Sequence, residues 1–249
     1  MGMPKWVEGA VLENIHWADN LFTLKVDAQV DTFIAGQFTS LALEIEGERI
    51  ARPYSYLSAP GKQPLEFFFY TATDGVLSNA LVNLKSGDPI WIKQQANGFF
   101  TLDEVPAARD LWMFGTGTGI APYLSILNSA EVWQRFDNIV LVHAVRSLAD
   151  LKYQEMIAEF QQQYGERFHF QAFISREVVA DTINGRIPVA LQDGSLEKAV
   201  GRELNIEHSQ LMLCGNPDMV KDAMQVLKAR GFSKNRRRTP GQITVENYW

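Results

Sequence analysis

Cysteine is almost absent: Cys214 is the single thiol in 249 residues. One thiol closes no intrachain disulfide, so an oxidising compartment is not indicated. It cannot hold an iron–sulfur cluster either, which normally takes four cysteines. His16, His143, His169 and His208 lie far apart without paired spacing, so no metal site is expected. No apolar run approaches the length of a membrane span. The opening residues lack the apolar stretch of a signal peptide, and a cytoplasmic protein is expected. Positive charge is not in excess: 23 Lys+Arg face 29 Asp+Glu, a net charge of −6. That balance disfavours a nucleic-acid binder. What the chain does have is apolar material, 46% of its residues, enough for a sizeable core.

The two halves follow different grammars. Residues 1–105 read as short strands, at 21–26, 38–45, 65–70 and 90–93, separated by Gly- and Pro-bearing turns. Many short strands so punctuated predict an antiparallel β-barrel. Residues 77–84 break the pattern and read as a short helix with Ser78 as a candidate cap. Residues 106–249 alternate strand and helix, with apolar strands at 111–114, 139–145, 168–174 and 211–214. Helical spacing joins Tyr153 to Tyr164 and Met219 to Leu227, and Gly165 and Gly231 are the expected stops. This alternation predicts an α/β doubly wound parallel sheet.

Four stretches carry candidate chemistry. Residues 115–122, Gly-Thr-Gly-Thr-Gly-Ile-Ala-Pro, follow a strand and open a helix. Glycines there let backbone N–H groups approach a phosphate. The run is neither GxGxxG nor a Walker loop, and a tight βα turn remains the alternative. Arg146 follows the next strand, Ser175-Arg176 the one after, and Arg186 lies ten residues on. An arginine at such a strand end suits a 2′-phosphate, hence NADP rather than NAD. Arg52-Pro53-Tyr54-Ser55 combines a phosphate partner, a ring that stacks and a hydroxyl. Val76-Leu77-Ser78 offers a second place for a pyrophosphate. Cys214-Gly-Asn216-Pro217-Asp218 ends a strand and starts a helix, and Tyr248-Trp249 at the chain end suggests docking against something flat.

Together, and in this order, these stretches resemble the ferredoxin–NADP⁺ reductase family, in particular its bacterial flavodoxin/ferredoxin reductases. Residues 52–55 look like the family's RxYS motif, 115–122 like its GTGxGxxP loop, 214–217 like its CGxP-type segment, and 246–249 like the bacterial carboxyl-terminal signature. The resemblance implies an FAD-binding barrel and an NADP-binding C-terminal domain. On the flavin it implies Arg52, Pro53, Tyr54 and Ser55, then Phe68, Phe69, Tyr70 and Thr71, with Val76, Leu77, Ser78 and Thr118. Tyr248 and Trp249 would cover the flavin's other face or its adenine. Arg146, Ser175, Arg176 and Arg186 would hold the 2′-phosphate, and Asn216, Pro217 and Asp218 would line the nucleotide groove.

The activity implied is electron transfer between NADPH and a separate one-electron carrier, flavodoxin or ferredoxin. Ser55, Cys214 and Glu246 are the candidate catalytic residues, positioning the nicotinamide for hydride transfer. The lone cysteine means that the chain carries no cluster domain of its own. Acidic carriers need a local basic surface, and Lys234-Asn-Arg236-Arg237-Arg238 is the candidate. Nothing in the sequence demands more than a monomer. A free-flavin or small-acceptor reductase, and a binding module controlled by flavin state, are the competing readings.

Overall fold

The computed structural model describes residues 5–247. It divides into two compact units: residues up to Leu102 together with Ala121–Ser129, and Asp103–Ile120 together with residues from Ala130 onward.

The first unit contains strands β1 (Trp6–Ala18), β2 (Leu21–Asp27), β3 (Phe38–Ile45), β4 (Glu48–Ser55) and β5 (Leu65–Tyr70), helix α1 (Val76–Leu81), and strand β6 (Pro89–Lys93). They form a six-stranded sheet in the order β4-β3-β6-β1-β2-β5 with antiparallel pairings. Beyond β4 the two edges meet, because the Leu57 N–H donates to the Glu66 carbonyl at 2.9 Å. The sheet therefore curls towards the expected barrel, which reduces its open edges. Leu24, Val26, Leu41, Phe67, Ile90 and Ile92 fill the interior and are fully buried. Each such side chain contributes roughly 1.5–3 kcal/mol through burial.

The sequence reading missed β1, the longest strand. Its register shifts between Val11 and Glu13 and again between His16 and Ala18. Such bulges break the period-2 alternation that marks a strand. The helix expected at 77–84 is shorter, Val76–Leu81, and Ser78 is not its cap. Gly75 stands in the cap position instead. The Ser78 hydroxyl, inside the helix, donates to the Gly75 carbonyl at 3.2 Å and accepts from the Ala72 N–H at 3.0 Å. Asn14 closes the other end: its Nδ2 lies 3.0, 3.2 and 3.0 Å from the carbonyls of Leu81, Val82 and Leu84. Helix α2 (Ala121–Leu127) is buried on all sides and joins this unit. Its Ser125 hydroxyl donates to the Ser58 carbonyl at 2.8 Å.

The second unit is built from β7 (Asp110–Thr116), α3 (Ala130–Arg135), β8 (Asn138–Val145), α4 (Gln154–Tyr164), β9 (Phe168–Ile174), β10 (Ile183–Asn184), α5 (Ile187–Asp193), α6 (Ser195–Val200), β11 (Ser209–Gly215), α7 (Pro217–Ala229) and β12 (Ile243–Asn247). Its six strands are parallel, in the order β10-β9-β8-β7-β11-β12. The chain moves from β7 outward through β8, β9 and β10, then returns to lay β11 and β12 on β7's other side. The carboxyl ends of β7 and β11 thus flank the point where the winding reverses, the place where such sheets bind ligands.

Trp112, Phe114, Ile187, Leu213, Leu227 and Phe232 belong to the core of this unit. Helix α7 starts where Asn216 Oδ1 accepts from the N–H groups of Asp218 and Met219, at 2.8 and 3.3 Å. Pro217 occupies its first position, where no N–H is needed.

Candidate cofactor and nucleotide sites

In the first unit the RxYS stretch lies on the edge strand β4, where Pro53 removes no interior ladder bond. Alternation along β4 separates its side chains. Arg52 is exposed, with Nη1 donating to its neighbour's carbonyl at 2.7 Å, while Ser55 is buried. Among the described residues no carboxylate pairs with Arg52. The half-buried Tyr54 ring meets Phe69 edge-on at 5.7 Å and 84°. Burial pushes the Tyr54 phenol up to about 12, with the nearby Arg52 opposing, so the hydroxyl stays protonated.

Phe68 and Phe69 are buried on β5, with Tyr70 and Thr71 half-buried beyond them. Val76 is 57% exposed at the start of α1, unusual for valine, and Leu77 and Ser78 are buried behind it. The structure thus offers an unpaired cation, an aromatic ring and an exposed apolar turn within one unit.

In the second unit the glycine-rich run divides between the end of β7 and a 3-10 turn, Gly117–Ile120. The loop packs tightly on the end of β11. A Cβ at Gly119 would lie 2.9 Å from both the Cys214 carbonyl oxygen and Gly215 Cα. At Gly215, with φ +123, a Cβ would lie 2.2 Å from Thr116 Oγ1. The Asn216 N–H also donates to Thr116 Oγ1 at 2.7 Å. Only glycine permits this approach and backbone shape. Thr118 is buried, and Asn216 and Asp218 are exposed with Pro217 half-buried between them.

Backbone bonds extend β8 and β9 past their ends. The Ser175 N–H donates to the Val145 carbonyl at 3.1 Å, and the Arg176 N–H to the Arg146 carbonyl at 3.0 Å. The two arginines are therefore brought to neighbouring strand ends. Arg186 lies before α5. All three arginines are exposed, and among the described residues none pairs with a carboxylate.

Cys214 is fully buried as the penultimate residue of β11, not exposed at its rim. It is in register with Glu246 on β12. Burial pushes the Glu246 carboxyl up to about 7. Tyr248 and Trp249 lie outside the described residues. Two contributors escaped sequence reading: Thr116, whose hydroxyl ties β7 to β11, and His143, buried on β8 with Nε2 at 2.8 Å from the Gly117 carbonyl. Thr116 lies within the glycine-rich run but is not singled out by it, and His143 belongs to no motif. A lone histidine in an apolar strand gives no signal until the neighbouring strand is placed.

An antiparallel barrel followed by a parallel sheet with a glycine cradle at its switch point defines a flavin- and nicotinamide-nucleotide-dependent oxidoreductase. Residues 11–99 match the family model "Oxidoreductase FAD-binding domain", and residues 113–225 match "Oxidoreductase NAD-binding domain". The chain belongs to the ferredoxin–NADP⁺ reductase family. It is 48% identical to the flavodoxin/ferredoxin–NADP reductases of Shigella flexneri and Escherichia coli, over 99% of this chain and 100% of each relative. The solved ferredoxin NADP⁺ reductase from Neisseria gonorrhoeae, with bound FAD and NADP, is 35% identical, has a TM-score of 0.93 and matches over 98% of both chains.

Proposed function

We propose that this chain is an FAD-containing reductase that moves electrons between NADPH and a one-electron carrier, flavodoxin or ferredoxin. The observation that carries the reading is the neighbouring placement of a glycine cradle and two arginines, without a carboxylate partner among the described residues, at parallel strand ends. That set fits a nucleotide with a pyrophosphate and a further phosphate. Bound FAD supplies the chemistry, taking up a hydride and passing electrons on singly.

The protein's part is binding and orientation. Arg52 neutralises flavin pyrophosphate charge, with Val76, Leu77 and Ser78 beside it, and Pro53 shapes the strand that presents it. Tyr54 packs on the flavin ring, and Ser55 donates to it. Phe68, Phe69, Tyr70 and Thr71 complete the flavin's surroundings. Tyr248 and Trp249 are proposed to cover flavin or adenine. Thr118, Asn216, Pro217 and Asp218 bound the nucleotide, and Arg146, Ser175, Arg176 and Arg186 hold its 2′-phosphate. Cys214 and Glu246 act on the nicotinamide side.

The carrier is proposed to dock on the basic stretch at residues 234–238. Both cofactor-binding halves lie in one chain, which supports action as a monomer. A single buried cysteine fits a reducing cytoplasm. Among the described residues no helix is long and apolar enough to cross a membrane.

The test is turnover of the purified protein with NADPH. It should be yellow with bound FAD, and it should reduce flavodoxin or ferredoxin far faster than free FMN. Preference for free FMN would favour a free-flavin reductase and overturn the carrier assignment.

A further inference from the structure

His143 is the one histidine of the second unit that is wholly buried. It lies on the central strand β8, in register with Gly115 on β7 and Ala172 on β9, whose small size leaves room for a ring. Its Nε2 is 2.8 Å from the Gly117 carbonyl oxygen, while Nδ1 is buried without a hydrogen-bond partner. Burial pushes its pKa down to about 4, so the ring is neutral. A neutral imidazole has one N–H, and a carbonyl oxygen only accepts. The proton therefore sits on Nε2. The bare Nδ1 then carries the cost of a buried acceptor without a partner, roughly 1–3 kcal/mol. A leucine in this apolar strand would avoid that cost, so the histidine's contribution is its one hydrogen bond.

That bond lands on the glycine peptide that opens the 3-10 turn Gly117–Ile120, and it adds a second hold on a carbonyl that the turn's i→i+3 bonding also uses. Gly117 has φ +54, and glycine populates both signs of φ about equally. A trans peptide holds its C=O and N–H in opposite directions. With the Gly117 carbonyl tied to His143, the Thr118 N–H must point away from His143. A flipped peptide would present a carbonyl oxygen where the loop should offer a donor, and two oxygen acceptors repel.

We propose that His143 is a positioning residue for the nicotinamide nucleotide: by holding the Gly117 carbonyl it keeps the Thr118 N–H turned towards the bound nucleotide's oxygen atoms. This rests on the reading of residues 115–122 as the nucleotide loop. His143 touches no ligand itself. It acts on the part of the nucleotide at the glycine loop and not on the 2′-phosphate held by the arginines.

Two ligands separate these parts. Adenosine 2′-phosphate probes the arginines alone, and NADP⁺ probes both. In H143L and H143N, the second too short to reach, the Kd for NADP⁺ should rise about tenfold, the loss expected for one such bond. KM for NADPH should rise in parallel with kcat nearly unchanged. Affinity for adenosine 2′-phosphate should stay within twofold of wild type. H143Q carries an amide nitrogen at the reach of Nε2 and should restore NADP⁺ binding to within twofold.

Wild-type NADP⁺ affinity in H143L and H143N would overturn the proposal. So would an equal loss of both ligands in every variant, which marks a general packing role. If H143L does not fold, the contrast between H143N and H143Q decides. A wild-type protein that binds neither ligand would defeat the functional reading itself, a result distinct from any behaviour of the variants.

Discussion

Cys214 and Glu246 sit side by side in register on the parallel strands β11 and β12, a fully buried thiol beside a carboxyl whose Oε2 is buried without a partner among the described residues. The acid titrates near 7 for this reason: burial disfavours its charged form. The folded protein keeps a proton that the unfolded chain releases near 4.5. Its contribution to stability is therefore fully present below about pH 4.5 and is lost as the pH rises through about 7. Thermal melts of wild type and E246Q from pH 5.5 to 8.5 test this. The wild-type Tm should fall relative to the variant as pH rises, and parallel curves would remove Glu246 as the cause.

Gly215 and Gly194 both have positive φ, +123 and +77, but only Gly215 is crowded. An alanine Cβ at Gly215 meets Thr116 Oγ1 at 2.2 Å and the Thr116 carbonyl oxygen at 2.8 Å, whereas Gly194 has nothing within 4 Å. G194A should cost about 1–2 kcal/mol, the backbone strain alone. G215A should cost about 3 kcal/mol or more, because strand ends must also separate. Denaturant melts of the two variants measure the gap, and equal losses would mean that the cradle yields freely.

The two-part architecture was legible because periodicity survives in long, unbroken elements. Strands β2, β5, β8 and β9 and helices α4 and α7 fall where alternation or helical spacing put them. The misses have local physical causes. Bulges broke the alternation of β1. Helices α3, α5 and α6 and strands β10 and β12 are too short to build a period. Ser78 has the chemistry of a cap but sits one turn inside the helix, bonded back to Gly75. At the site, glycine runs and strand-end arginines were visible as residues that core packing does not require. His143 and Thr116 were not, since their partners are adjacent only once β7 lies between β8 and β11.

Arg146 and Arg176 should distinguish NADPH from NADH, which differ only in the 2′-phosphate. Their main chains are joined by a 3.0 Å hydrogen bond, and among the described residues neither guanidinium pairs with a carboxylate. A charge-assisted bond contributes roughly 1.5–3 kcal/mol. The double variant R146A/R176A should therefore lose about 100-fold or more in kcat/KM for NADPH and less than about threefold for NADH. Steady-state kinetics with both nucleotides give the ratio. Equal losses for the two would place the phosphate elsewhere.

The basic stretch is not uniform. A tight turn, with Arg236 N–H to Thr239 O at 3.1 Å and the return bond at 3.0 Å, presents three arginines. Arg237 is anchored to Glu104 at 3.2 Å, whereas Arg236 and Arg238 are exposed and pair with no carboxylate among the described residues. Those two, with the exposed Lys234, are the cations available to an acidic carrier. Removing a rim charge acts chiefly on association and is screened by salt. R236Q/R238Q should thus lower kcat/KM for flavodoxin or ferredoxin about tenfold at low ionic strength. The deficit should shrink to within about twofold near 0.5 M salt, where the screening length falls to a few ångströms. Reduction of a neutral quinone should be unchanged, because no docking is needed. A salt-independent deficit, or an equal loss with the quinone, would show that the turn supports the fold and not the partner.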